Sequence, residues 1–325
     1  MLLKGALALS CTTALAATPS TEAGAVAKVK WTAVDSVNVA KFNSDLVRGK
    51  PTIDVAIYVP SNFDPAFDKL SVERMVEGLA TAKQIYKPAG VQINLLYVKT
   101  GVVDPKFLSL QANEIPRVPD TEYINSYESS KRHPTELTEM ARQAFESMVE
   151  VDENSPNTIY LIALQDVVLP FLEISEGRNW TVKMVRTGGL SFPSYSYVNT
   201  IPRDYRGVMT ITNLSTPNRL ERTIAHEIGH KVMNVSHEYK DTHPAHEVYA
   251  EGGLMLYGQG TDIPSGEEGR WHLERLHLSP YVYRQAADGT KKWNRDYLEH
   301  GHYYDPIYGE KSVKFPGAAI MNPNW

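Results

Sequence analysis

Cysteine is nearly absent from this chain of 325 residues: the single one is Cys11. It lies within Met1-Leu2-Leu3-Lys4 and an apolar run into Ala14-Leu15-Ala16, which reads as a signal peptide over residues 1–16 ending in an Ala-x-Ala cleavage site. A chain processed there has no thiol, which excludes disulfides, cysteine metal ligands and a cysteine latency switch. Ala8-Leu9-Ser10-Cys11 also resembles a lipobox, the alternative in which Cys11 carries a lipid anchor, but the apolar segment before it is short. The expected location is secreted, periplasmic or extracellular. An excess of positive charge is lacking too: 33 Lys and Arg against 38 Asp and Glu leave a formal charge of −5, so nothing forms the basic footprint of a nucleic-acid partner. Beyond the N-terminus no run approaches the 18 or so apolar residues of a membrane span. No internal repeat or low-complexity linker divides the chain.

What is present is His226-Glu227-Ile228-Gly229-His230. Residues four apart on a helix lie on one face, so His226 and His230 can turn two imidazoles toward one metal ion while Glu227 stands beside it as a base. The surroundings predict the helix. Thr216-Pro217 supplies a start with proline at the first position, and Leu220, Ile224, Ile228 and Val232 recur at the spacing of a buried stripe. Asn234 tolerates the left-handed conformation that ends a helix, and His237 follows three residues later. Downstream stands Gly252-Gly253-Leu254-Met255-Leu256-Tyr257-Gly258.

These two motifs together resemble the metzincin clan of zinc endopeptidases, whose signature is His-Glu-x-x-His-x-x-Gly-x-x-His followed by a methionine turn. The turn here is similar to the Met-x-Tyr form of the astacin and serralysin branches. The resemblance implies Zn2+ held by His226, His230 and His237, Glu227 as general base and then acid for an attacking water, Met255 beneath the metal, and Tyr257 as a helper to the oxyanion. It further implies a protein or peptide substrate. The chain departs from the clan in one respect: Lys231, Val232 and Met233 separate His230 from the turn residue where the family has two residues, and one more helical residue rotates the exit by about 100°. The third ligand is therefore open to Asp241, His243 or His246. A gluzincin-type hydrolase would use Glu247 or Glu251 instead. A non-catalytic secreted binding module on the same fold is the reading from another class, opposed by the retained Glu227.

The element order predicts an α/β (α+β) fold: a metzincin-like twisted, mainly parallel sheet with an antiparallel edge strand, the zinc helix, and a largely irregular C-terminal subdomain. Strands are expected over Ile53–Val59, Val91–Val98, Thr158–Leu164, Ser191–Val198 and Gly207–Thr212. Helices are expected over Ser71–Tyr86, from Leu137 to Met148, and from Glu267 to Leu278. Pro193 marks the strand at 191–198 as an edge, where a substrate could add as a further strand. Residues 101–133 read as loop and the tail from Tyr281 is unassigned. The division expected is a signal peptide over 1–16, an N-terminal arm or short propeptide over 17–48, and a catalytic domain over 49–325 with its first lobe ending near 237. Phe42-Asn43-Ser44-Asp45 faintly resembles the propeptide segment by which astacins place an aspartate on zinc. Asn179, Asn213 and Asn234 head glycosylation sequons. His133, His272, His277, His300 and His302 read as surface or satisfied core residues.

Overall fold

Strand β2 (Thr52–Pro60) is buried along its whole length, and its alternation decides the architecture. Ile53, Val55, Ile57 and Val59 point into one apolar cluster, Ala56 and Tyr58 into a second on the opposite face. A computed structural model describes residues 26–64, 70–115, 136–174, 180–197, 200–213, 217–235, 253–256, 259–267, 269–298 and 306–307. Among them β2 pairs in parallel with β3 (Gln92–Gly101) and β5 (Ile159–Leu164), and β5 in parallel with β9 (Val208–Thr212). Antiparallel strands close the sheet. These are β1 (Thr32–Ala33) on β3, β8 (Gly189–Leu190) on β9, and β10 (Val282–Gln285) with its hairpin partner β11 (Lys291–Trp293) on the end of β2. The mainly parallel mixed sheet expected from the sequence is present.

The central strands are apolar on both faces because helices cover both. On one face lie α2 (Val72–Tyr86) and α5 (Pro217–Met233), whose Met75, Leu79, Ile224, Ile228 and Val232 share a cluster with the odd-numbered side chains of β2. On the other lies α3 (Glu139–Met148), which contributes Ala141, Ala144, Phe145 and Met148. The local signals act as expected. Ser71 caps α2 by accepting from the Arg74 N–H, Thr138 caps α3 by accepting from Ala141, and Gly90 takes φ 74° at the corner into β3. Tyr86 at the end of α2 donates to the Ala225 carbonyl of α5 at 2.9 Å, tying the two helices together.

The structure departs from the expected elements in several places. Residues 191–197, the described part of the expected strand over 191–198, are not a strand. The antiparallel edge is β8, two residues earlier, after which Phe192 turns into the left-handed region (φ 49°) and Ser194–Tyr197 form a helical turn, α4. The stretch from 166 to 186 holds a hairpin, β6 (Asp166–Ile174) with β7 (Trp180–Arg186), which joins the short β4 (Ser109–Gln111) in a second sheet. The tail is not wholly irregular, since β10 and β11 return to the main sheet. There Lys291 pairs with the fully buried Asp54 of β2, which also accepts from Asn94 at 2.7 Å and Tyr283 at 2.8 Å. The C-terminal helix, α6, is confined to His272–Leu278. No helix among the described residues is long and apolar enough to cross a membrane.

The described part of the N-terminal arm, residues 26–48 with the short helix α1 (Val39–Phe42), packs on this frame. Trp31 donates through its indole N–H to the Met148 carbonyl, and the Asn43 amide pairs both ways with the backbone of Leu95. Asp45 forms an ion pair with Lys83 of α2, so the aspartate that resembled a propeptide switch is engaged by a lysine.

Candidate functional site

α5 begins at Pro217 and ends at Met233, and Asn234 takes φ 53°. The added residue is thus absorbed by a longer helix, and the turn falls on the asparagine. Asn234 is only 2 % exposed, which leaves no room for a glycan on that sequon. Beyond it the chain reverses far enough for the Val235 carbonyl to accept from His230 Nδ1 at 2.7 Å.

His226 is held in the same manner by another segment, its Nδ1 lying 2.6 Å from the Leu254 carbonyl. A carbonyl only accepts, so Nδ1 carries the proton in both rings and a neutral ring presents a lone pair at Nε2. Those two Nε2 atoms face each other at 3.1 Å. Neither neutral ring can donate to the other, and an imidazolium between them is opposed by burial, which lowers His226 to a pKa of about 4. The arrangement fits a divalent cation: two nitrogens held 2.0–2.1 Å from a tetrahedral zinc would be roughly 3.3 Å apart.

Glu227 lies against the sheet edge. A Cβ built on Gly189 of β8 would lie 2.7 Å from Glu227 Cγ and 2.8 Å from Oε1, so the carboxyl rests directly on the strand and only glycine leaves it space. Burial raises its pKa to about 8, opposed by the Lys231 charge and the neighbouring Ser191 hydroxyl. Lys231, one turn later on α5, is itself buried. It donates to the carbonyls of Phe192 at 3.0 Å and Arg206 at 2.6 Å, anchoring the chain just after β8.

Met255 is fully buried. Its sulfur lies against Gly229, where an added Cβ would come within 2.6 Å of Sδ. Gly229 immediately precedes His230, so the methionine packs against the helix that carries both histidines. Arg222 secures the same turn, as its Nη2 donates to the carbonyls of Leu254 at 2.8 Å and Leu256 at 2.6 Å and its Nε to that of Gly260 at 2.7 Å.

His226, Glu227, His230 and Met255 are thus brought together. His237, Tyr257, Asp241, His243, His246, Glu247 and Glu251 lie outside the described residues, and among the described residues no third His, Cys, Asp or Glu joins the pair. His277 donates to the Ala89 carbonyl at 2.8 Å and His272 is buried in α6, as structural histidines should be. Neither motif nor spacing marks Gly189, Arg222, Gly229 or Lys231 as a site residue in the sequence. Gly229 carried a signal, since glycine inside a helix is unfavourable and marks a close approach. The other three are visible only once β8 and the methionine turn are placed against α5.

Compared with family models and with curated proteins, the chain matches none.

Proposed function

We propose that the chain is a secreted zinc metalloendopeptidase of the metzincin kind, hydrolysing peptide bonds at the His226/His230 pair. The observation that carries this reading is the 3.1 Å approach of two Nε2 lone pairs whose Nδ1 protons are both committed to backbone carbonyls. Zinc bound there, with His237 as third ligand, supplies Lewis acidity toward a water and the scissile carbonyl. The rest falls to the chain. His226 and His230 hold the ion without giving up protons. Glu227, poised by burial to exchange a proton near neutral pH, takes one from the attacking water and passes it to the leaving amine. Tyr257 is assigned the developing oxyanion. β8 is paired only with β9 among the described residues, and a peptide added along it passes beside Glu227 at Gly189. The buried methionine beneath Gly229 supports the metzincin reading over one with a glutamate ligand.

The test is hydrolysis of an unfolded protein such as casein. Activity should vanish with a chelator and return with zinc, and Glu227→Gln should lose about 10²- to 10⁴-fold in kcat while keeping its zinc. Activity indifferent to both chelator and Glu227→Gln contradicts the proposal.

A further inference from the structure

Resting on the zinc reading above, we propose that Arg222 is a positioning residue for the metal site, holding the methionine turn so that the Leu254 carbonyl fixes the His226 ring. Arg222 precedes His226 by one turn on the same face of α5. Its three hydrogen bonds go to the carbonyls of Leu254, Leu256 and Gly260, two on the methionine turn and one just beyond it. The Leu254 oxygen is shared: it accepts from Arg222 Nη2 at 2.8 Å and from His226 Nδ1 at 2.6 Å. A carbonyl has two lone pairs, so both donors are satisfied, and the guanidinium fixes where the second one is offered to the imidazole.

A planar guanidinium suits this task, because its rigid fork reaches several carbonyls at once where a lysine offers one point charge. Charge-assisted bonds of this kind are about twice as strong as neutral ones. Without them the turn keeps its backbone bonds, Leu254 N–H to Asp262 and Leu256 N–H to Gly253, but the acceptor that sets the His226 tautomer and ring angle is placed less firmly. The turn also carries Met255, whose sulfur sits on Gly229, so Arg222 places both the floor and one wall of the site. His230 is held independently by Val235 and serves as an internal reference.

The experiment compares the parent with Arg222→Met, Arg222→Lys and Asn43→Ala. The last removes two hydrogen bonds of comparable length to Leu95, 2.8 and 3.0 Å, on the β3 side of the fold. Zinc affinity is measured by competition with a chromophoric chelator, the visible spectrum of the cobalt(II)-substituted protein reports ligand geometry, and the melting temperature of the metal-free protein reports folding. Arg222→Met should raise the zinc Kd about 10- to 100-fold and alter the cobalt bands. Arg222→Lys should recover part of the affinity, and Asn43→Ala should lower the melting temperature with Kd and spectrum unchanged. Parental Kd and spectrum in Arg222→Met overturn the proposal. If that variant does not fold, parental Kd and spectrum in Arg222→Lys overturn it equally. A parent that binds no zinc removes the underlying reading, which distinguishes that failure from one of Arg222 alone.

Discussion

Glu227 and His226 lose solvent together, and burial moves them in opposite directions. The carboxyl rises from its ordinary 4.5 to about 8, and the imidazole falls from 6.5 to about 4. The signs follow for the metal-free protein. A raised acid pKa means that the folded state holds the proton more tightly, so the Glu227 contribution is present at low pH and is lost as pH rises through about 8. A lowered histidine pKa means the reverse, so the His226 contribution is present above 6.5 and is lost as pH falls through about 4. Between pH 6.5 and 8, Glu227 alone of the two changes the balance. Lys231, held below its usual range by the same burial, is raised by the Glu227 charge, so a Lys231→Met background separates the two titrations. In that background the melting temperature of the chelated protein should therefore fall relative to that of its Glu227→Gln variant across this window. Parallel curves would mean that Glu227 is not buried as described.

At the scale of elements, α5 shows how far a chain can be read before it folds. Its start at Pro217, its buried stripe and its end at Asn234 are local matters of φ preference and periodicity, and all are legible in the residues. The same holds for β2, β5 and β9, whose apolar runs need two covered faces. What was not legible depends on partners distant in sequence. β6 and β7 carry charges and a proline that break the alternation, and they become strands by pairing with each other and with β4. Ser191–Tyr197 is rich in aromatics and so resembles a strand in sequence, although the edge strand is β8, two residues earlier. Phe192 and Tyr197 serve a core under a left-handed turn, where Phe192 packs edge-on against Phe145 with centroids 5.0 Å apart and against Tyr197 at 5.3 Å. Asn234 offers a test at this scale. Asn234→Val should destabilise the protein by roughly 1–2 kcal/mol, since a β-branched residue resists φ 53°, while Asn234→Gly should be tolerated. Equal urea midpoints for the two variants would contradict a left-handed end to α5.

Over the whole molecule, the sheet and its two helical layers bring residues 189, 222–230 and 254–255 to one place, although they come from an edge strand, a helix and a turn. Fold class and the histidine pair could be read from the sequence because each rests on spacing within one element. The supports supplied by Gly189, Arg222 and Lys231 could not, because they arise where elements meet. The core of the site is the pair of lone pairs facing each other at 3.1 Å. The most direct test is the zinc content of the purified chain by elemental analysis after dialysis, for the parent, His226→Ala and His230→Ala. One zinc per chain in the parent and its loss in both variants are expected; a parent without zinc, or variants that keep it, would contradict the metal site.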